Sequence, residues 1–81
     1  MNTQPNKRES AHMARVKELD CSVCDAPGPS HAHHIRQDCA YATVALCVDC
    51  HRSWHGDKTM WKIYKLDEIQ ALDITLERLF N

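Results

Sequence analysis

The sequence predicts a small α+β domain held together by something besides its apolar core, and three observations carry that prediction. The chain has 81 residues, a length at which a hydrophobic core alone leaves little margin of stability. It devotes five positions to cysteine and six to histidine, while glycine and proline are scarce at two and three. Its apolar residues recur at helical spacing near both ends and at strand-like spacing in the middle.

Residues 1–6 are polar and expected to be flexible, as free termini are. From Lys7 to Leu19, the three-residue step of Met13, Val16 and Leu19 between charged positions predicts an amphipathic helix. It stops at Asp20, directly before "CSVC". "DAPGPS" is a turn by composition. "HAHHI" and "YATVAL" read as two short strands joined across "RQDCA", hence a hairpin. "CVDCHRSWHG" then reads as a helix of two turns closed by Gly56. A last helix is expected from about Leu66 to Phe80, with Asp67 and Glu68 favouring its start and Ile69, Leu72, Leu76, Leu79 and Phe80 forming its buried stripe. Leu46, Trp54, Trp61 and Tyr64 are expected to fill the core. The whole forms one domain, residues 7–81, with its central motif at 21–56 and no repeat or linker.

There is no run of 18 apolar residues, and "MNTQPNKRES" lacks the apolar centre of a secretory leader. The expectation is a soluble protein of the reducing cytosol with no membrane partner, where closely spaced cysteines bind metal before they form disulfides. A net charge of −1 and a pI near 6.6 argue against a purely electrostatic nucleic-acid binder. Charge is unevenly spread, however. Lys7, Arg8, Arg15 and Lys17 load the start, and Arg52, Lys58, Lys62 and Lys65 face only Asp57 between residues 51 and 66. Each cluster is either a phosphate contact or a solvated helix face.

Cys21-x2-Cys24 and Cys47-x2-Cys50 form two knuckles with 22 residues between them. Two tight turns that each offer a pair of thiolates make a closed tetrahedral zinc site, so a structural Zn is expected. One knuckle lies on a loop and the other on the first turn of a helix, which is a treble-clef-like arrangement. Zinc binding then supplies the folding energy that the small core lacks. Cys39 is left over as an ordinary thiol. "CVDCH" also matches the attachment motif of c-type haem, with Met60 as a conceivable axial ligand, but that leaves the first cysteine pair without a role.

The histidines are not needed for such a zinc. His51 and His55 are four apart on the predicted helix and project from one face. His33 and His34 are neighbours on a strand and point to opposite faces, so one can ligate while the other does something else. Any one of these is unremarkable as an exposed histidine; the set is not.

"HH" on a strand followed by "LCVDCHRSWH" resembles the HNH, or ββα-metal, endonuclease motif in its zinc-knuckle form, over residues 21–56. More narrowly, "ARVKELDCSVCDAPGPSHAHHIRQ" and "ALCVDCHRSWHG" are similar to the phage Ref nucleases, which cut DNA held by the recombinase RecA. The resemblance implies a zinc-stabilised treble-clef/ββα-metal domain with flanking N- and C-terminal helices. It implies that His33, His51 and His55 hold a catalytic divalent metal (Mg, Mn, Ni or Zn) and that His34 is the general base. The products would carry 5′-phosphate and 3′-hydroxyl ends. DNA would be the partner, RecA a further one, the domain a monomer, and the place of action the host cytosol if the chain is phage-encoded. Arg36 and Arg52 are the candidate phosphate contacts. One position departs from the pattern: the family's asparagine, nine before the first helix histidine, is Ala42 here. Two other functions compete with the endonuclease. One is a non-catalytic treble-clef module that binds nucleic acid or protein, and the other is a regulator folded against another chain through its last helix.

Overall fold

The computed structural model describes residues 6–36 and 38–80, and residues 1–5 of the expected flexible terminus lie outside that range. The elements are α1 (Lys7–Glu18), β1 (His31–His34), β2 (Thr43–Leu46), α2 (Val48–His55), α3 (Thr59–Tyr64) and α4 (Glu68–Phe80). This is an α+β fold with a two-stranded antiparallel sheet. Among the described residues no helix is long and apolar enough to cross a membrane.

Asn6 belongs to a helix start. Its side chain accepts from the Glu9 amide and the Glu9 carboxylate accepts from the Asn6 amide, both at 2.8 Å, so two otherwise orphaned donors are satisfied. At the other end of α1 the "DAPGPS" turn folds back on the helix. The Ser30 amide donates to the Lys17 carbonyl at 2.7 Å and the Ser30 hydroxyl to the Leu19 carbonyl at 2.6 Å. Gly28 sits so close that a Cβ there would lie 2.8 Å from the Leu19 carbonyl oxygen, which excludes any side chain without backbone movement.

The hairpin pairs His31 with Leu46, Ala32 with Ala45, His33 with Val44 and His34 with Thr43. Every residue of β2 is buried, whereas β1 buries only His33. The connecting loop is closed by its own backbone, with Ile35 and Ala42 joined at 3.0 Å and Ala42 donating to Cys39 at 3.0 Å. The Thr43 hydroxyl also bonds the Ala40 carbonyl. These bonds brace the loop without a side chain at Ala42.

Cys21, Val23, Val44, Leu46, Cys50, Trp61 and Ala71 form the core, in which α2, α4 and the first knuckle surround β2 and α3 packs on α2. Trp61 is 2% exposed, and its indole N–H donates to the Cys50 carbonyl at 2.9 Å. Leu46 is buried and Trp54 packs against the core as expected, but Tyr64 is exposed.

Two further expectations change. Residues 59–64 form a helix bounded by Lys58 and Lys65, both in the left-handed conformation. A six-residue helix without side-chain caps leaves no periodic signal in the sequence. The last helix starts two residues later than expected, on a reciprocal Asp67–Gln70 cap with bonds of 2.9 and 2.7 Å. Its buried face is also rotated within the expected stripe: Leu72 packs against the core and Leu76 and Leu79 are partly buried, but the two ends of the stripe are not. Ile69 and Phe80 are 65% and 74% exposed, while Ala71 and Thr75 are fully buried. Small residues let the helix approach β2 closely. The Thr75 hydroxyl fixes the rotation, because it contacts the Ser22 hydroxyl at 2.7 Å, the Ala45 amide at 3.3 Å and the Ala71 carbonyl at 2.8 Å.

Candidate functional site: two ligand clusters on one helix

Helix α2 carries both clusters. Cys47 is its N-cap, with Sγ accepting from the Cys50 amide at 3.4 Å, so the helix begins on the sulfur that caps it. Cys21 Sγ accepts from the Val23 amide at 3.4 Å in the first knuckle. Cys21, Cys24, Cys47 and Cys50 lie with their sulfurs within 4.8 Å of one another, and Cys24 Sγ is 3.6 Å from Cys47 Sγ. Sulfurs on a tetrahedron about 2.3 Å from a zinc ion would be separated by roughly 3.8 Å. The four cysteines are therefore placed to hold a structural metal such as zinc. Burial raises the Cys24 and Cys50 thiols, Cys50 far beyond its ordinary range. Burial also acts to raise Cys21, but hydrogen bonds from the Cys24, Cys47 and Val23 backbone outweigh it and leave that thiol below its ordinary value. Several protons must leave the cluster when a metal enters it, which couples binding to pH and to folding.

One turn further along α2, His51 and His55 face β1 and meet His33. A ligand atom from each lies within 4.8 Å of the others. Ring centroids are 5.1 Å apart for His33 and His51, 5.2 Å for His51 and His55, and 5.5 Å for His33 and His55. The strand supplies buried His33 and the helix supplies half-buried His51 and exposed His55, so the cluster opens to solvent on one side. His51 is held below its ordinary pKa by burial first, then by His33, His55 and His31 around it. A neutral imidazole keeps a lone pair available for a cation.

Two further contacts complete this cluster, one of them, from Glu68, with no signal in the sequence. Glu68, the first residue of α4, places Oε2 2.6 Å from Nε2 of His33. His31, on the same face of β1 as His33, places Nδ1 3.0 Å from Nδ1 of His51. Each engages one ring nitrogen of its partner, and in the tautomer where that nitrogen donates, the other keeps a lone pair for an ion, the arrangement by which outer groups orient metal-binding histidines. The carboxylate is 35 residues from its partner in sequence, so only the packing of α4 could have revealed it.

The remaining candidates lie apart from the cluster. His34 is partly buried and, by strand alternation, faces away from His33; among the described residues its side chain makes no hydrogen bond. Arg36 is exposed and paired with Asp38 at 3.1 Å, and Arg52 is exposed on α2. Cys39 is partly exposed and far from both clusters in its contacts, with its thiol beside Asp38. Scans of this chain against protein-family models, curated proteins and solved structures returned no match.

Proposed function

We propose that the chain is a metal-dependent DNA endonuclease of the HNH, ββα-metal class, built as a treble clef around a structural zinc. The observation that supports this most is the meeting of His33, His51 and His55 within 4.8 Å on a strand and a helix. Three protein ligands leave coordination positions for a phosphate oxygen and water, unlike the closed set of four cysteines. A divalent ion held there would stabilise the charge that develops on the scissile phosphate and the leaving 3′ oxygen.

The protein's own groups do the rest. His31 and Glu68 hold two of the imidazoles in orientation. His34, next in sequence to His33, is the general base, and its partial exposure suits a group that must take a proton from water. Arg36 and Arg52 contact neighbouring phosphates. The products carry 5′-phosphate and 3′-hydroxyl ends, and similarity to the Ref nucleases extends the substrate to DNA paired within a RecA filament. The competing reading, a non-catalytic treble-clef module, draws on Ala42 in place of the family's asparagine and on the position of His34 outside the cluster.

The test is nicking of supercoiled plasmid by zinc-loaded protein with Mg, Mn or Ni, beside His34→Ala and His51→Ala. The endonuclease reading expects cutting by the parent and a loss of about 10²–10⁴-fold in His34→Ala, with zinc content unchanged. Silence on both bare plasmid and RecA filaments would leave the binding module as the function.

A further inference from the structure

A groove of about 340 Å³ runs between α3 and the start of α4, and the histidine cluster does not use it. Lys58, Lys62 and Lys65 line it together with Trp54, Trp61 and Leu66. Among the described residues none of these lysines is ion-paired. The neighbouring carboxylates are engaged by backbone, Asp57 accepting from the Thr59 amide at 3.0 Å and Asp67 from the Gln70 amide at 2.7 Å. Lys58 and Lys65 stand in the left-handed region, at φ 61° and 56°, where glycine or asparagine fits with less strain. The fold thus keeps long cations at both ends of α3, at positions where helix geometry alone favours a small neutral residue.

The groove borders the histidine site on two sides. Trp54 lies between His51 and His55 on α2, with its ring centroid 6.4 Å from that of His33, and Lys58 Nζ stands 4.7 Å from the Trp54 ring. Across the groove Asp67 directly precedes Glu68, which bonds His33. We infer that this groove is the track along which the sugar–phosphate backbone of the DNA strand reaches the histidine site. The inference rests on the endonuclease reading and names its substrate-binding surface. Charge complementarity selects the occupant, since three lysines that form no ion pair among the described residues outnumber the single carboxylate, Asp67, along the groove and match a repeating phosphate chain. The partly exposed Trp54 indole beside Lys58 suits the sugars and bases of a strand, which pair a charged backbone with flat apolar faces.

The experiment measures binding of a fluorescein-labelled DNA duplex, its single strand and the matching RNA strand by anisotropy. It uses zinc-loaded full-length chain with no other divalent ion added, across a range of salt. The variants are Lys58→Ala/Lys62→Ala/Lys65→Ala and, at equal charge change on α1, Lys7→Ala/Arg8→Ala/Lys17→Ala, each checked for zinc content and helicity. The groove variant is expected to bind DNA at least tenfold more weakly at 0.1 M salt. Its slope of log affinity against log salt should be shallower by about 2 to 3, near one counterion per lysine. The α1 variant should retain affinity within about threefold, as surface charges away from the strand do. Equal losses in the two variants, no loss in the groove variant, absence of DNA binding by the parent, or tighter binding of RNA would each overturn the inference. A protein that binds DNA through these lysines yet cuts nothing sinks the endonuclease reading and leaves the groove standing. A protein that cuts with its affinity unchanged after the triple substitution does the reverse.

Discussion

Glu68 and His33 meet at 2.6 Å, with the carboxylate 21% and the imidazole 7% exposed, and this contact ties the first turn of α4 to the centre of the histidine cluster. A carboxylate on one ring nitrogen fixes the orientation of the imidazole and raises the basicity of the other nitrogen toward a metal. Glu68→Gln keeps the shape and removes the charge. It is expected to weaken Ni or Co binding at the histidines by about 10–100-fold, read by calorimetric titration of zinc-loaded protein. The zinc content and the thermal midpoint should stay close to the parent's. Unchanged affinity would show that the contact is a surface ion pair with no bearing on the site.

The four-cysteine cluster carries a separate prediction. Cys21 and Cys50 are fully buried at the centre of the core, so a metal held by the four cysteines would contribute its binding energy directly to folding. Chelation of the metal should abolish the helical circular dichroism, and added zinc should restore it. Cobalt-substituted protein should show the absorption of a tetrahedral thiolate site. Cys47→Ala removes both a ligand and the helix cap and should not recover on adding zinc. Folded, metal-free protein at neutral pH would count against a structural metal.

How far the sequence could be read follows from which residues act locally. The knuckles, the hairpin and α2 were legible because their signals are short-range: paired cysteines, a Pro-Gly turn and two histidines at helical spacing all lie within a few residues of one another. The meeting of His33 with His51 and His55 spans the hairpin and the helix, and spacing alone left open whether His33 or His34 joins the pair; the resemblance to the HNH pattern is what implied His33. Helix α4 was legible as a helix but not in its rotation, because apolar periodicity pointed to Ile69 and Phe80 while the buried face is set by Ala71 and by Thr75 bonding two distant segments. The contact of Glu68 with His33 and the left-handed lysines were invisible, since each takes its meaning from a partner or a backbone angle that spacing does not encode.

Thr75 offers a direct test of that account. Its hydroxyl serves the Ser22 hydroxyl and the Ala45 amide, both in fully or nearly fully buried surroundings. Thr75→Val keeps the volume and leaves those two groups without a partner, and each such loss costs about 1–3 kcal/mol. Denaturant unfolding of the zinc-loaded variant should show a fall in stability of that order per group. Thr75→Ser, which retains the hydroxyl, should recover most of it. If valine is tolerated without loss, the rotation of α4 is set by packing alone.

His12 gives the pH dependence of the fold away from both clusters. It is 7% exposed on α1 beside Tyr41, and its Nε2 has no hydrogen-bond partner. Burial, then the positive charge of Arg15, lowers its pKa below the ordinary 6.5. In the unfolded chain this histidine takes up a proton as pH falls through 6.5, while in the folded chain it resists until lower pH. Between those two points the unfolded state binds more protons, so the contribution of His12 to stability is full above pH 6.5 and declines as the solution is acidified. His12→Leu removes this dependence together with the unpartnered Nε2, at the loss of the hydrogen bond between His12 and the Tyr41 backbone. Compared with the parent in zinc-containing buffer, the variant should lose less stability between pH 7.5 and pH 5.5, and at pH 7.5 it should be at least as stable. Other groups also respond to acid, including the metal ligands, so the quantity to read is the difference between the two proteins at each pH. A difference that does not change with pH would mean that His12 is protonated equally in the folded and unfolded chain, and that its burial is relieved by a partner the packing around Tyr41 must then provide.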